Sequence, residues 1–155
     1  MIKLLRIDHR LLHGQVAFSW TSQLQANCIL LASDSLVEDK FRISAIKLAK
    51  PDGIKVVAKS IDDAIIAINS GVTDRYNLFI VVESIIDADK LARALSLNEV
   101  NLGGTKPADN KRLLSKAVYA TDEEIELLRG LIKDGIDVYC QMIPTEKRIE
   151  TKTLI

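Results

Sequence analysis

Short runs rich in Val, Ile and Leu alternate along this chain with longer stretches whose apolar residues recur at spacings of three and four. Several of the runs contain almost no polar residue, which is typical of parallel strands that are covered on both faces. The longer stretches have the period of amphipathic helices. This alternation predicts an α/β protein with a single open, mostly parallel sheet and helices on both faces.

Six strands and five helices are predicted from these patterns. The strands are expected at residues 2–7, 28–32, 54–58, 78–82, 100–102 and 136–142, and the helices at 14–25, 35–50, 61–70, 88–97 and 122–133. Thr121 and Glu124 have the spacing of a capping box for the last helix. Gly71 and Gly135 stand where a left-handed residue commonly follows a helix. The polar stretch 103–116 is not assigned.

Bulk properties favour one domain over residues 1–155, since single domains commonly have roughly 100–200 residues. The 21 basic residues balance the 21 acidic ones, and aromatic residues are few, so a nucleic-acid partner is not expected. No apolar run approaches the roughly 20 residues of a membrane helix, so insertion into the membrane is not expected and the location is predicted to be cytoplasmic. Cys28 and Cys140 lie in apolar runs and are predicted to be buried thiols rather than disulfide or metal ligands.

Chemistry is concentrated in residues 6–15, where the first predicted strand ends. Arg6, Asp8 and Arg10 lie there together with His9 and His13, the two histidines of the chain. Arg6 and Asp8 are two residues apart on a strand, so their side chains leave the same face. In open α/β sheets, ligands gather at the carboxyl ends of the strands. This segment is therefore the leading candidate for a functional site.

His13 between guanidinium groups suits a phosphoryl group carried on an imidazole, because neutral imidazole is a nucleophile near neutral pH. The first amides of the following helix, at Gly14 and Gln15, favour an anion in the same space. Arg10, and Arg6 as a second candidate, can hold two phosphate oxygens at once. Gly14 is expected to let the backbone turn and approach a ligand. Asp8 either holds the second nitrogen of the imidazole or is a strand-end residue bonded to the loop backbone.

Three further patterns have open alternatives. His9 and His13 are four residues apart, as in a metal pair, but the loop assignment puts them on no common helical face, so no metal is expected. Ser33 and Asp34 end the second strand and fit a helix N-cap at least as well as a supporting binding role. Gly103 and Gly104 are predicted to form either an amide nest for phosphate or a plain turn.

The chain resembles the enzyme IIB component of the mannose/fructose/sorbose-type bacterial sugar phosphotransferase system (PTS). The resemblance extends from Met1 to the C-terminus and is carried mainly by the first motif. The matching residues are Arg6-Ile7-Asp8, Arg10-Leu11, His13-Gly14-Gln15-Val16, Trp20, Ser33-Asp34, Asn101-Leu102-Gly103-Gly104 and Pro144-Thr145-Glu146.

This resemblance implies a phosphotransferase without a cofactor. His13 would accept a phosphoryl group from a phosphohistidine of enzyme IIA and pass it to a sugar that crosses the membrane through the IIC and IID components. Arg10 and Arg6 fall on family positions close to the phosphoryl group, and Asp8 on a position that orders the loop. His9 departs from the family pattern, in which that position is often acidic. The protein would then be peripherally associated with its membrane partners.

Rival functions are weighed against this one. Phosphatases and mutases with a phosphohistidine intermediate have an adjacent Arg-His-Gly motif and need a second, distant histidine. In this chain no histidine follows His13. A flavodoxin-like module that binds a flavin or nucleotide accounts for the fold but not for the cluster of arginines and histidines, and no dinucleotide or Walker signature is present. A regulatory domain without transfer activity is a third alternative.

Overall fold

The computed structural model describes residues 1–155. Its strands are β1 (Ile2–Asp8), β2 (Cys28–Ala32), β3 (Lys55–Lys59), β4 (Leu78–Val82), β5 (Glu99–Gly104), β6 (Arg112–Ser115), β7 (Val118–Ala120), β8 (Asp137–Cys140) and β9 (Ile149–Glu150). Its helices are α1 (Gly14–Leu24), α2 (Asp34–Val37), α3 (Lys40–Ala49), α4 (Ile61–Asn69), α5 (Ile85–Ala94) and α6 (Asp122–Lys133), and a short 3₁₀ helix covers Thr151–Thr153.

Seven strands form one sheet in the order β3-β2-β4-β1-β5-β8-β9. The pairs from β3 to β8 are all parallel, and β9 pairs antiparallel with β8 at one edge. The predicted α/β class with a mostly parallel sheet is therefore confirmed. Strands β6 and β7 form a separate antiparallel pair.

Each face of the sheet has its own hydrophobic core, as expected for helices on both faces. Helices α1, α2 and α3 supply Trp20, Leu36 and Ile46 to one core. Helices α4, α5 and α6 supply the other, which includes Leu91 and Leu128. Each fully buried aliphatic side chain of this kind contributes about 1.5–3 kcal/mol through removal from water. The two cores together hold β1, β2, β4, β5 and β8 in place.

Side-chain caps define where most helices begin. Ser33, Ser60 and Ser84 each accept a hydrogen bond from a backbone amide in the first turn of α2, α4 and α5. The predicted capping box of Thr121 and Glu124 at α6 is confirmed, with both of its hydrogen bonds present. Because each cap satisfies an amide that has no partner within its helix, it fixes the first residue of that helix.

Gly71 and Gly135 follow α4 and α6 with φ angles of +85° and +89°, so the left-handed residues predicted after these helices are confirmed. The region predicted as one helix at 35–50 differs, because it consists of α2 and α3. Asp39 caps α3 by accepting from the Arg42 amide and starts a new helix there. The unassigned stretch 103–116 contains the end of β5 and all of β6.

The connections that follow the adjacent strands β1 and β4 leave in opposite directions. From β1 the chain crosses to β2 by way of α1 on one face, and from β4 it crosses to β5 by way of α5 on the other. Loops that part in this way leave a crevice outside the carboxyl ends of the strands, where ligands bind in folds of this kind. The segment after β1 lies at this crevice.

Candidate functional site

The loop after β1 is tied to the strand end by Asp8. The Leu11 amide donates to the Asp8 carbonyl oxygen at 2.9 Å, and the Arg10 amide donates to Asp8 Oδ1 at 3.0 Å. Leu11 has a φ of 61°, a left-handed conformation that costs a residue with a Cβ about 1–2 kcal/mol. Leu11 and Leu12 are both buried in the core under α1, and this burial holds the strained turn in place.

His13 is the N-cap residue of α1 and is exposed to solvent. Its backbone is extended, with φ −126° and ψ 105°, and its side chain makes no capping hydrogen bond. The first amides of α1, including those of Gly14 and Gln15, therefore have no side-chain acceptor. Free amides and the positive end of the helix dipole attract an anion at this position.

Arg10 forms a two-pronged ion pair with Asp8. Its Nε donates to Asp8 Oδ1 and its Nη2 to Asp8 Oδ2, each at 3.1 Å. The Arg10 side chain is 34% exposed, whereas that of Asp8 is 2% exposed. These contacts fix the plane of the guanidinium, while its remaining nitrogen, Nη1, stays available to a ligand.

Asp8 holds both arginines and does not hold the imidazole. In addition to the contacts from Arg10, its Oδ2 accepts from Arg6 Nη2 at 3.3 Å. Burial opposes ionisation of Asp8, but the hydrogen bonds from Arg10 and the two positive charges outweigh it and lower its pKa. Of the two alternatives for Asp8, the contact with the imidazole of His13 is absent and the bond to the loop backbone is present, since the Arg10 amide donates to Oδ1.

Arg6 lies beneath the site rather than in it. The residue is 2% exposed, and its Nη1 donates to Asn101 Oδ1 at 2.6 Å and to the Gln141 carbonyl oxygen at 3.0 Å. Its guanidinium also lies over the Trp20 ring, 5.2 Å from the centroid. Burial lowers the pKa of Arg6, and the charge of Asp8 opposes this. The direct phosphate contact expected for Arg6 is therefore corrected to an indirect position below Asp8.

Gly103 and Gly104 belong to β5, so they form neither the amide nest nor the turn that the sequence suggested. A Cβ at Gly103 would overlap the Arg6 guanidinium. The Gly104 carbonyl oxygen accepts from the His9 amide at 3.1 Å. Gly103 therefore gives room to Arg6, and Gly104 holds the start of the loop.

Ser33 and Asp34 have capping and bridging roles at the end of β2, two strands from β1 in the sheet. Ser33 accepts from the Leu36 amide at 3.1 Å and its hydroxyl donates to Glu83. Asp34 Oδ1 accepts from the Ile61 amide at 2.9 Å. These contacts match the N-cap alternative and place Ser33 and Asp34 outside the hydrogen-bond network of Arg6, Asp8 and Arg10.

Gly14 is not needed for the turn that was expected of it. Its φ is not in the left-handed region, which is occupied by Leu11 instead, and a Cβ at Gly14 would meet nothing within 4 Å. The open space above Gly14 faces solvent next to His13. Trp20 is 4% exposed, packs in the core beneath the loop, and donates from Nε1 to the Met142 carbonyl oxygen at 2.9 Å.

Sequence reasoning gave no role to several residues that hold the site. Asn101 was part of the resemblance, but its contact with Arg6 was not foreseen. Arg42 of α3 donates to Glu83 Oε2 at 2.9 Å and to the His9 carbonyl oxygen at 3.3 Å. Glu83 directly follows β4, so the rule for strand ends could have identified it. No sequence signal indicates Arg42, because only the packing of α3 brings it to the loop.

No three His, Cys, Asp or Glu side chains are grouped closely enough to hold a metal ion. None of the helices combines the length and the apolar character that crossing a bilayer requires.

The fold and the site define a doubly wound α/β protein that presents an exposed histidine at a helix N-terminus beside an oriented arginine. The sequence profile of the PTS system sorbose subfamily IIB component matches residues 2–155, so the chain belongs to this family. This confirms the resemblance found in the sequence.

Individual proteins agree with the family match. A probable phosphotransferase enzyme IIB component of Streptococcus pyogenes serotype M6 is 28% identical, covering 100% of this chain and 99% of that protein. The mannose-specific EIIAB component of Escherichia coli K12 is 26% identical, covering all of this chain and 48% of that protein. The crystal structure of the IIBSor domain of the Klebsiella pneumoniae sorbose permease superposes with a TM-score of 0.92 at 26% identity, covering 97% of this chain and 93% of that one.

The chain is thus a phosphocarrier IIB component and a phosphotransferase of the PTS. The flavodoxin-like alternative is not favoured by these matches.

Proposed function

We propose that residues 1–155 act as one IIB phosphocarrier domain in which His13 carries the phosphoryl group. The observation that supports this most directly is the position of His13, exposed at the N-terminus of α1 with no capping bond of its own. A phosphoryl group on its imidazole would meet the free amides of Gly14 and Gln15. The Nη1 atom of Arg10 would supply a charge-assisted hydrogen bond from the side.

Transfer into the site forms one P–N bond and breaks another. The lone pair of a neutral nitrogen of His13 attacks the phosphorus of the phosphohistidine of enzyme IIA, and the donor imidazole leaves with its electron pair. In transfer out, a sugar hydroxyl oxygen attacks the phosphorus, the imidazole of His13 leaves with the electron pair of the P–N bond, and the proton of the hydroxyl passes to solvent. In both steps Arg10 and the helix amides neutralise charge on the equatorial oxygens, which is the main task of a protein in phosphoryl transfer.

Arg6 and Asp8 are assigned a positioning role in this proposal. Asp8 fixes Arg10 through two hydrogen bonds, and Arg6 fixes Asp8 from below while it is itself held by Asn101. A guanidinium held in this way is already oriented when the phosphoryl group arrives, so less conformational entropy is lost during transfer.

The proposed donor is enzyme IIA, and the proposed acceptor is a sugar that enters through the IIC and IID membrane components. The name of the E. coli mannose-specific EIIAB component supports the first partner, because it unites IIA and IIB in one protein. We propose a cytoplasmic location with peripheral association at the membrane complex. No nucleic acid is proposed as a partner, in view of the balanced charge.

Phosphorylation of single-histidine variants tests the assignment. The native chain, His13→Ala and His9→Ala are each incubated with phosphoenolpyruvate, enzyme I, HPr and the cognate IIA, and then measured by intact mass. The native chain and His9→Ala are expected to gain one phosphoryl group, and His13→Ala none. Circular dichroism of His13→Ala should match the native chain, because His13 is exposed and makes no capping bond.

His9 is the matched control, since it is the other histidine of the same loop. Labelling that persists in His13→Ala, or that disappears in His9→Ala alone, would contradict the assignment of the phosphoryl group to His13.

A further inference from the structure

A polar cleft of about 470 Å³ opens beside the His13 loop, and none of the eight residues that line it is hydrophobic. His9 follows β1, Glu83 follows β4 and Lys106 lies just beyond β5, so three adjacent parallel strands end at this cleft. Arg42 of α3 and Lys111 complete its positively charged wall. The cleft therefore lies at the crevice where the connections from β1 and β4 leave in opposite directions.

The two carboxylates of the cleft are already engaged by the protein. Glu83 accepts from Arg42 at 2.9 Å and from Ser33 and Ser35. Burial opposes ionisation of Glu83, but these hydrogen bonds and the charge of Arg42 outweigh it and lower its pKa. Glu124 is buried at the first turn of α6, where its Oε1 accepts from the Thr121 amide at 2.9 Å. Neither carboxylate forms an ion pair with a lysine.

Lys106 and Lys111 form no ion pair, although Lys111 donates from Nζ to the Lys106 carbonyl oxygen at 2.9 Å. With Glu83 paired to Arg42 and Glu124 held by its helix, the two ammonium groups leave the cleft with an excess of positive charge. His9 adds a ring whose buried Nδ1 has no hydrogen-bond partner. A concave site with these groups favours an anion that also offers hydroxyl groups.

A hydrogen bond connects the cleft to the His13 loop. Arg42 donates to the His9 carbonyl oxygen at 3.3 Å, and His9 stands four residues before His13 in the same loop. The volume of the cleft falls in the range of about 300–1,000 Å³ that is usual for small-molecule sites. A lining without aliphatic or aromatic residues suits a ligand with many hydroxyl groups better than a flat aromatic cofactor.

We propose that this cleft binds a phosphorylated sugar, with the phosphate on Lys106 and Lys111 and the hydroxyl groups on the polar side chains between them. The choice of a sugar phosphate rests on the proposed function, since it is the product that forms when His13 gives up its group. Binding itself requires no transfer, because the lysines and Arg42 are present in the unphosphorylated chain.

Titration of the unphosphorylated full chain tests the cleft without IIA or phosphoenolpyruvate. Mannose 6-phosphate is added while backbone amide shifts are followed by NMR, with inorganic phosphate and neutral mannose as separate arms. Saturable shifts at His9, Arg42 and Lys106 are expected for the sugar phosphate. Affinity should fall at least tenfold in Lys106→Glu/Lys111→Glu and remain unchanged in Lys47→Glu/Lys152→Glu, which reverses two exposed lysines outside the cleft.

Three other outcomes of the titration would overturn the proposal. These outcomes are the absence of saturable shifts, equal affinity in the lysine-reversed variant, and equal affinity for neutral mannose or for inorganic phosphate. Because this measurement contains no phosphoryl donor, a failed phosphorylation of His13 does not affect its result, and a failed titration leaves the assignment of His13 intact.

Discussion

The guanidinium of Arg6 occupies the space that a side chain at Gly103 would need, so that one strand of the sheet contains a glycine because the neighbouring strand contains a buried arginine. Arg6 in turn holds Asp8, and Asp8 holds Arg10 at the surface. The position of the exposed Arg10 therefore depends on the buried Arg6 and Asp8, and substitutions that displace either of them should also displace Arg10.

Gly103→Ala is expected to destabilise the protein by about 1–3 kcal/mol, because the added methyl group must displace Arg6 from its hydrogen bonds. Urea unfolding measures this loss. Gly104→Ala is the matched control, since a Cβ there would lie 3.7 Å from its nearest neighbour, the Ala117 carbonyl oxygen. Equal losses for the two variants would show that the space around Arg6 is not the cause.

Arg10→Lys is expected to slow phosphoryl transfer about tenfold or more while leaving the charge of the loop unchanged. An ammonium cannot bond both oxygens of Asp8 and a phosphoryl oxygen in one plane. Rapid-quench measurement of transfer from phosphorylated IIA gives the rate. Arg129→Lys, at an exposed ion pair with Glu126 on α6, should transfer at the native rate. A native rate for Arg10→Lys would remove Arg10 from the site.

Asp8 should contribute to the pH dependence of stability. Its pKa is lowered from its ordinary value of 3.8, so its stabilising effect is complete above that pH and is lost as the pH falls through the lowered native value. The free energy of unfolding, from urea titrations between about pH 5 and pH 2, should therefore fall less steeply in Asp8→Asn than in the native chain.

At neutral pH, Asp8→Asn should be less stable by up to about 3–5 kcal/mol, because the buried charge of Arg6 loses its partner. Asp62→Asn is the control, since Asp62 forms an exposed pair with Lys90. If the pH profile of Asp8→Asn coincides with the native profile, Asp8 does not have the assigned effect.

Ser33→Ala is expected to cost about 1–2 kcal/mol of stability with little effect on the rate of transfer, because Ser33 caps α2 and lies outside the Arg6, Asp8 and Arg10 network. Thermal unfolding gives the first quantity and transfer from IIA the second. Ser60→Ala, which removes the cap of α4, should show a loss of about 1 kcal/mol. A large loss of transfer in Ser33→Ala at unchanged stability would instead make Ser33 part of the site.

The sequence by itself determined the class of fold and the place of the site. The alternation of apolar strands with amphipathic helices leaves few ways to bury both faces of a sheet, and the chain must then place residues 6–15 at a carboxyl edge. Local signals were equally decisive where a feature depends only on residues close together in the chain. Examples are the capping box of Thr121 and Glu124 and the left-handed Gly71 and Gly135.

Only the tertiary structure decided what each polar residue does. Arg6 and Arg10 look alike in the sequence, yet pairing of β1 with β5 puts Arg6 against Asn101 and Gly103, while the turn at Leu11 leaves Arg10 at the surface. Arg42 joins the loop only because α3 packs beside it. Contacts between residues far apart in the chain depend on the packing of whole elements, so periodicity and local propensity contain no information about them.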